Sequence, residues 1–398
     1  MTFRANTGVG RHGWLRLTPA YGVCLVRDRM ASLPPGSRVL DPFSGTGTTA
    51  LAAAEAGHVG EAVDVNPFLV WLGNVKLGRY SPSLLRDVTD EAAGIVSTAS
   101  AMAGREGLWR PALHRIDTWW TSGALQALAA IRSLIDERSG ETRDLLDVAF
   151  CRTLIASSNA SFGHQSISFK QPTPGPLGED SDDYDGVLRM FAVDVGHVMS
   201  TAGDDLPGSG RVLLGDSRTV ANTVSPADSV ITSPPYVNRM SYIRELRPYM
   251  YWLRYLDDAS DAGDLDWRAI GGTWGKATSR LSSWSPADAT PVDGDLGQVC
   301  CAIRDDGGKN GALLATYVEK YAHDMWEHFR SVTPVVKEGG TVSYIVGNST
   351  FYGHDVPAQE WYAEMLRALG YRDVTVTTTR KRNSNTSLYE YEVAGARP

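Results

Sequence analysis

The sequence predicts an α/β protein built on a mostly parallel sheet, and three observations carry that prediction. A short run at 37–40 leads through Asp41-Pro42-Phe43-Ser44-Gly45-Thr46-Gly47-Thr48-Thr49 into an alanine-rich stretch and then Gly57, which reads strand, glycine turn, helix, C-cap. A second run at 60–63 ends in Asp64-Val65-Asn66-Pro67, and the following residues through Leu77 look helical, which completes a strand, helix, strand unit of the parallel kind. Two further strand signals, at 211–214 before Gly215-Asp216-Ser217 and at 229–232 before Ser233-Pro234-Pro235-Tyr236, repeat the pattern of an apolar run closed by a turn.

Residues 81–210 change character. Ala124, Leu128, Ile131 and Ile135 recur at helical spacing, as do Val187, Phe191, Val195 and Val198, so this stretch predicts a mostly helical insertion and a candidate substrate-recognition region. Within it, 171–186 holds three prolines and a run of acids and predicts a loop. Residues 257–306 are rich in Gly, Asp, Ser and Trp without a clear period, and predict a long loop or lid. Leu314, Tyr317, Val318, Tyr321, Met325 and Phe329 then mark one face of a helix that must stop near Pro334. Gly339-Gly340 turns into a strand at 341–346, a helix at 358–369 ends at Gly370, and 374–379 with 388–393 predict a closing antiparallel hairpin. The main domain is therefore expected in three pieces, 1–80, 211–256 and 307–398, around insertions at 81–210 and 257–306.

The chain has 398 residues with 38 Lys plus Arg against 46 Asp plus Glu, a formal charge of −8. That balance excludes a generally basic nucleic-acid-coating protein and leaves room for a local basic face. No run of 18 apolar residues and no secretory apolar segment occurs, so a soluble, cytoplasmic protein without membrane contact is expected. Cys24, Cys151, Cys300 and Cys301 make no C-x-x-C pair, and the histidines form no ligand spacing, so neither a metal site nor a disulfide framework is expected.

Two constellations carry chemistry. Gly45 and Gly47 allow a tight turn and a close approach of a ligand to backbone, where the N-terminus of the following helix offers unpaired N–H donors. Asp64 lies 17 residues after Gly47, near the ~20-residue spacing at which an acid meets the ribose hydroxyls of a nucleotide-like cofactor. In the second, the two prolines of Ser233-Pro234-Pro235-Tyr236 cannot continue a central strand and fix a rigid projection at its carboxyl end. A Ser hydroxyl, an outward Pro234 carbonyl and a Tyr ring suit a planar amino group, with two acceptors for its N–H donors and a ring to stack on its heterocycle.

These segments resemble the S-adenosylmethionine-dependent amino-methyltransferases of DNA, in particular the cytosine-N4 branch, from about residue 13 to residue 393. The resemblance implies a Rossmann-like methyltransferase sheet, S-adenosylmethionine as cofactor, and DNA as partner, with any restriction partner left open. It implies a cofactor site of Asp41, Pro42, Phe43, Gly45, Gly47, Thr48, Asp64, Asn66, Asp216 and Ser217. Asp41, Phe43 and the glycines would hold the methionine part, Asp64 the ribose and Asp216 the adenine amino group. Ser233, Pro234, Pro235 and Tyr236 would form the catalytic set, in which Ser233, Pro234 and Tyr236 hold the target base. Residues 14–25, with Pro19 and Tyr21, look like the family's N-terminal cofactor-flanking motif, with Tyr21-Gly22 where the family more often has Phe-Ser.

A polynucleotide surface is expected from Arg239, Tyr242, Arg244 and Arg247 together with Arg380 and Arg382 of the hairpin, because basic and aromatic residues beside the reactive tetrapeptide suit phosphates and bases. The alternative is a helix whose aromatics are core and whose arginines are solvated. Adenine N6, RNA, a small-molecule amine and a non-enzymatic binding role remain as competing functions.

Overall fold

The structure is a computed structural model that describes residues 3–15, 21–161, 168–169, 180–239, 241–272, 276–382 and 387–398. Helix α1 (Val23–Met30) precedes strand β1 (Arg38–Asp41), the glycine loop, helix α2 (Thr48–Glu55), strand β2 (Val59–Asp64) and helix α3 (Pro67–Leu77). Asn66 starts α3 by accepting a hydrogen bond from Phe68 N, and Pro67 supplies a preset φ at the first helical position. Helices α4 (Pro82–Ala101), α5 (Ser122–Ile135), α6 (Gly140–Ala156) and α7 (Asp180–Ala202) fill the insertion before strands β3 (Ser209–Leu214) and β4 (Ala227–Thr232). Helices α8 (Tyr242–Trp252), α9 (Ala259–Arg268), α10 (Asp293–Asp306) and α11 (Gly311–Val332) lead to strand β5 (Val336–Gly347), helix α12 (Ala358–Ala368) and the hairpin of β6 (Arg372–Lys381) and β7 (Tyr389–Ala396).

The seven strands lie in the order β6-β7-β5-β4-β1-β2-β3. β5, β4, β1, β2 and β3 pair in parallel, and β7 pairs antiparallel with both β5 and β6. The expected mostly parallel sheet with a C-terminal antiparallel pair is therefore the fold. Side chains alternate across it with period two: Val39 and Ile231 face α1 and α2, whereas Leu40 and Val230 face α11 and α12. From β1 the chain order runs outward in one direction to β2 and β3, and from β4 it runs outward in the other to β5, beyond which the hairpin adds β7 and then β6. A crevice consequently opens between the carboxyl ends of β1 and β4, which is where ligands bind in open α/β sheets.

The insertion is helical as expected, and it shares a core with the sheet domain. Leu128, Ile131, Phe150, Phe191 and Val195 pack with Phe68 and Leu72 of α3 and with Leu246, Met250 and Trp252 of α8. Burying side chains of this size stabilises by about 1.5–3 kcal/mol each. Two expectations are corrected. The part of the predicted loop at 180–186 opens helix α7, while 171–179 lies outside the described residues. Residues 257–306, expected as a loop or lid, carry α9, a short helix at Lys276–Leu281 and α10. A reciprocal capping box between Asp258 and Asp261 starts α9, and Leu296, Cys300 and Ile303 bury one face of α10. Among the described residues no helix is long and apolar enough to cross a membrane.

Candidate active site

Because β1 and β4 are neighbours, their ends bring the glycine loop beside the Ser-Pro-Pro-Tyr tetrapeptide. The tie is direct: Thr232 Oγ1 donates to Asp41 Oδ1 at 2.6 Å across a sequence separation of 191 residues. The Asp41 carboxylate also accepts from Thr49 Oγ1 at 2.7 Å and Phe43 N at 3.0 Å, with the Tyr21 hydroxyl 3.4 Å away and itself bonded to Thr49. Expected to meet the methionine part of a cofactor, this carboxylate is instead fully buried and engaged inside the protein. Burial raises its pKa. Asp41 thus joins β1, α2, β4 and the N-terminal segment that carries Tyr21; Pro19 of that segment lies outside the described residues.

Gly45 and Gly47 have φ of 50° and 77°, the left-handed region that glycine adopts without strain, and a Cβ on Gly47 would stand 3.2 Å from Gly73 Cα. Gly47 is the N-cap of α2 and no side chain caps that helix. Pro42 and Thr48 are buried, and the Thr48 hydroxyl meets that of Thr46 at 3.1 Å, so these two shape the loop from behind. Asp64 is half-buried at the end of β2, accepting from Gly45 N at 2.9 Å and from Asn66 N at 2.9 Å. Burial pushes its carboxyl up to about 7. The side chain of Asn66 is not available to a ligand: it caps α3 and donates to Met250 Sδ at 3.5 Å from a fully buried position.

Phe43 is half-buried and packs its ring 4.7 Å from His328. His328 Nδ1 lies 3.2 Å from the Ser217 carbonyl, which only accepts, so Nδ1 carries the proton and Nε2 accepts from the Tyr344 hydroxyl at 2.8 Å. Burial pulls this imidazole down to about 4 and keeps it neutral. Through it the end of β3 is held against the glycine loop. Asp216, expected at the adenine amino group, binds the Arg218 guanidinium at 2.6 Å, and Arg218 also reaches Asp324 at 2.9 Å. Burial opposes the charge on Asp216, and Arg218 outweighs it and holds the carboxyl below its ordinary value.

In the tetrapeptide, Ser233 Oγ donates to the Ile345 carbonyl at 3.0 Å, which leaves the hydroxyl lone pairs to accept. Tyr321 donates to the Pro235 carbonyl at 2.8 Å, so its oxygen accepts from Tyr362 at 2.6 Å. Among the described residues nothing donates to the Pro234 carbonyl. The Tyr236 hydroxyl donates to Glu390 at 3.0 Å, its N–H faces the Tyr242 hydroxyl at 3.4 Å, and the Arg382 guanidinium lies 4.9 Å over its ring. Gly347 makes this possible, since a Cβ there would come within 3.0 Å of Tyr236 and closer still to Arg382.

The basic and aromatic segment divides. Tyr249, Tyr251 and Trp252 are buried core residues of α8 and cannot stack on bases, whereas Tyr242 at its start is half-buried beside the tetrapeptide. Arg380 pairs with Glu390 at 2.8 Å rather than projecting. Arg239 takes a left-handed φ of 58° and its N–H donates to Tyr317, while Arg244 is exposed and Arg247 half-buried one helical turn apart. The reading of the chain missed Lys76, which is fully buried, donates to the Thr46 carbonyl between the two loop glycines at 3.0 Å, and is pulled down to about 7 by burial. It also missed His328 and Tyr321. The signal was present, because Lys76 follows Leu72 by one turn on the apolar side of α3, and His328 and Tyr321 share the apolar face of α11.

No family model matches the chain. It is 22% identical over 438 aligned residues to the Type II methyltransferase M.BsoBI of Geobacillus stearothermophilus, covering 97% of this chain and 84% of that protein. Among solved structures, TrmN from Thermus thermophilus overlaps with a TM-score of 0.30 at 13% identity, across 100% of this chain and 52% of TrmN, about half the length of that protein. The rRNA methyltransferase aviRa from Streptomyces viridochromogenes overlaps with a TM-score of 0.28 at 12% identity, across 95% of this chain and 86% of aviRa. Overlaps at these TM-scores do not bear on function. The sequence similarity along nearly the whole chain supports a methyltransferase that uses S-adenosylmethionine.

The loop residues fit such a group. Ser44 Oγ is buried without a hydrogen-bond partner, the N-terminus of α2 is uncapped, and Asp64 offers a carboxylate at the next strand end. Together they supply donors and an acceptor over the carboxyl ends of β1 and β2, beside the crevice between β1 and β4.

Proposed function

We propose that this chain transfers the methyl group of S-adenosylmethionine to an exocyclic amino group, cytosine N4 in DNA. One observation carries the reading. The Thr232 to Asp41 bond sets Ser233-Pro234-Pro235-Tyr236 next to the glycine loop, so that amine acceptors and a cofactor cradle share one crevice. The bound cofactor supplies an already activated methyl group, and the chain's residues then have to orient the amine and exclude water.

An exocyclic amine is a weak nucleophile because its lone pair is shared with the ring. Hydrogen bonds from its two N–H groups to Ser233 Oγ and the Pro234 carbonyl favour pyramidalisation and strengthen as positive charge grows on nitrogen, which stabilises the transition state more than the ground state. Ser233 is preset for this role by its donation to Ile345, and Pro234 by the Tyr321 bond that fixes the next carbonyl. Tyr236 would replace the stacking a base loses on leaving a duplex. Ser233, unlike a carboxylate, leaves no buried charge to desolvate. Cytosine is favoured over adenine by resemblance, since Ser stands where adenine-directed relatives usually place Asp or Asn.

Incubation with labelled cofactor and separate DNA, RNA and nucleoside pools, followed by nucleoside mass spectrometry, is expected to place the label in N4-methylcytosine of DNA. Label in N6-methyladenine, in RNA alone or in no polymer refutes the assignment. For the cofactor, Asp64→Ala is expected to weaken S-adenosylmethionine binding by roughly 10- to 150-fold in titration calorimetry, the range for losing a hydrogen bond to a charged group. Unchanged affinity removes Asp64 from the site.

A further inference from the structure

We propose that residues 104–115, together with the C-terminal end of α8, form a phosphate-binding face that holds duplex DNA at a fixed offset from the tetrapeptide; this rests on the function proposed above. The chain as a whole is acidic and repels a polyanion, so a local excess of cations is needed for any approach. Residues 104–115 contain three arginines and one histidine against one glutamate. Arg105, Arg110 and Arg115 are exposed, and among the described residues none of them has an ion pair. Arg132 and Arg152 on helices α5 and α6, and Arg138 in the connection between them, are each bonded to an acid. Arg105 and Arg110 also flank a cleft of about 380 Å³.

The face is anchored. Trp109 meets Trp252, the last residue of α8, edge to face at 6.1 Å, and the Arg254 guanidinium, itself paired with Asp136 at 2.9 Å, lies 4.2 Å over the exposed Trp109 ring. The exposed indole offers a flat surface, and the uncompensated charge of the face comes from Arg105, Arg110 and Arg115. At the other end of the same helix, the Tyr242 hydroxyl faces Tyr236 N of the tetrapeptide. At 1.5 Å per residue the helix separates the two ends by about 15 Å. That is roughly four to five base pairs at 3.4 Å each. Arg244 and Arg247 lie on one helix face between them. A duplex is stiff over such a length, so one that presents a base to the tetrapeptide must lay its backbone across this offset, whereas a single strand is free to leave it.

The test measures binding of a 30-base-pair duplex to the full chain by fluorescence anisotropy across a salt series, for wild type and for the triple variant Arg105→Ala, Arg110→Ala, Arg115→Ala. The expected result is a fall in affinity of at least tenfold near 0.1 M salt and a log K against log salt slope shallower by about 2 to 3, since each phosphate contact contributes about 0.9. S-adenosylmethionine affinity and unfolding temperature should stay at wild-type values, because these side chains are on the surface. An unchanged slope in the triple variant, while the wild type binds and methylates DNA, overturns this proposal alone. Loss confined to single-stranded DNA or RNA overturns the duplex assignment. If the wild type binds and methylates no polynucleotide, the proposed function falls with it.

Discussion

An Asp41→Ala protein is expected to unfold at a temperature lower by about 4 °C, and to lose cofactor affinity along with stability. The substitution removes three hydrogen bonds, those from the hydroxyls of Thr232 and Thr49 and from the N–H of Phe43, and Thr49 keeps its longer contact to the Ile231 carbonyl. At about 1 kcal/mol for each lost hydrogen bond the cost is about 3 kcal/mol. With an unfolding entropy near 2.1 cal/mol/K per residue, a chain of 398 residues converts that cost to ~4 °C. Scanning calorimetry checks the shift. Asp41→Asn, which keeps one acceptor oxygen, should recover part of it. An Asp41→Ala protein with wild-type melting would mean that the carboxylate does not tie β1, α2 and β4 together.

Tyr236→Ala should lower methyl transfer by roughly 5- to 150-fold, the equivalent of the 1–3 kcal/mol that base stacking on an aromatic ring contributes. Cofactor affinity should remain close to wild type, because Tyr236 sits in the tetrapeptide and its contacts run to Glu390, Tyr242 and Arg382 rather than to the glycine loop. Tyr236→Phe separates the ring from the hydroxyl. It keeps the stacking surface and loses only the bond to Glu390, so its activity should stand well above that of the alanine variant. Single-turnover measurement with labelled cofactor on the acceptor proposed above distinguishes the two. Full transfer by Tyr236→Ala would reduce the tetrapeptide to a turn.

Much of the architecture was legible because its signals are local. The strand at 37–40, the glycine turn and the Asn66-Pro67 helix start depend on residues within a few positions of one another, and the structure has β1, a left-handed Gly47 and the α3 cap there. Helices α9 and α10 escaped detection because Gly and Asp are poor helix formers, and their apolar positions are few. The structure forms them through a reciprocal cap at Asp258 and through packing of Leu296, Cys300 and Ile303 in the core that also holds α11. On α8 the alternation of Arg with Tyr and Trp suits a binding face and a core face equally. Only burial on α3 and the insertion chooses the core for Tyr249, Tyr251 and Trp252.

The sequence by itself determined where the chain turns and which residue types stand at the strand ends, because φ preferences, capping and apolar runs are decided by near neighbours. Tertiary structure alone decided which of those residues face the crevice. Asp41 turns inward because Thr232, Thr49 and Phe43 converge on it, Arg380 is neutralised by Glu390 across the hairpin, and Ser233 keeps its lone pairs open because its O–H donates to the Ile345 carbonyl. The Asp41 and Ser233 outcomes depend on partners 191 and 112 residues away, and the charge and hydrogen-bond capacity of a side chain are settled by what the fold sets against it.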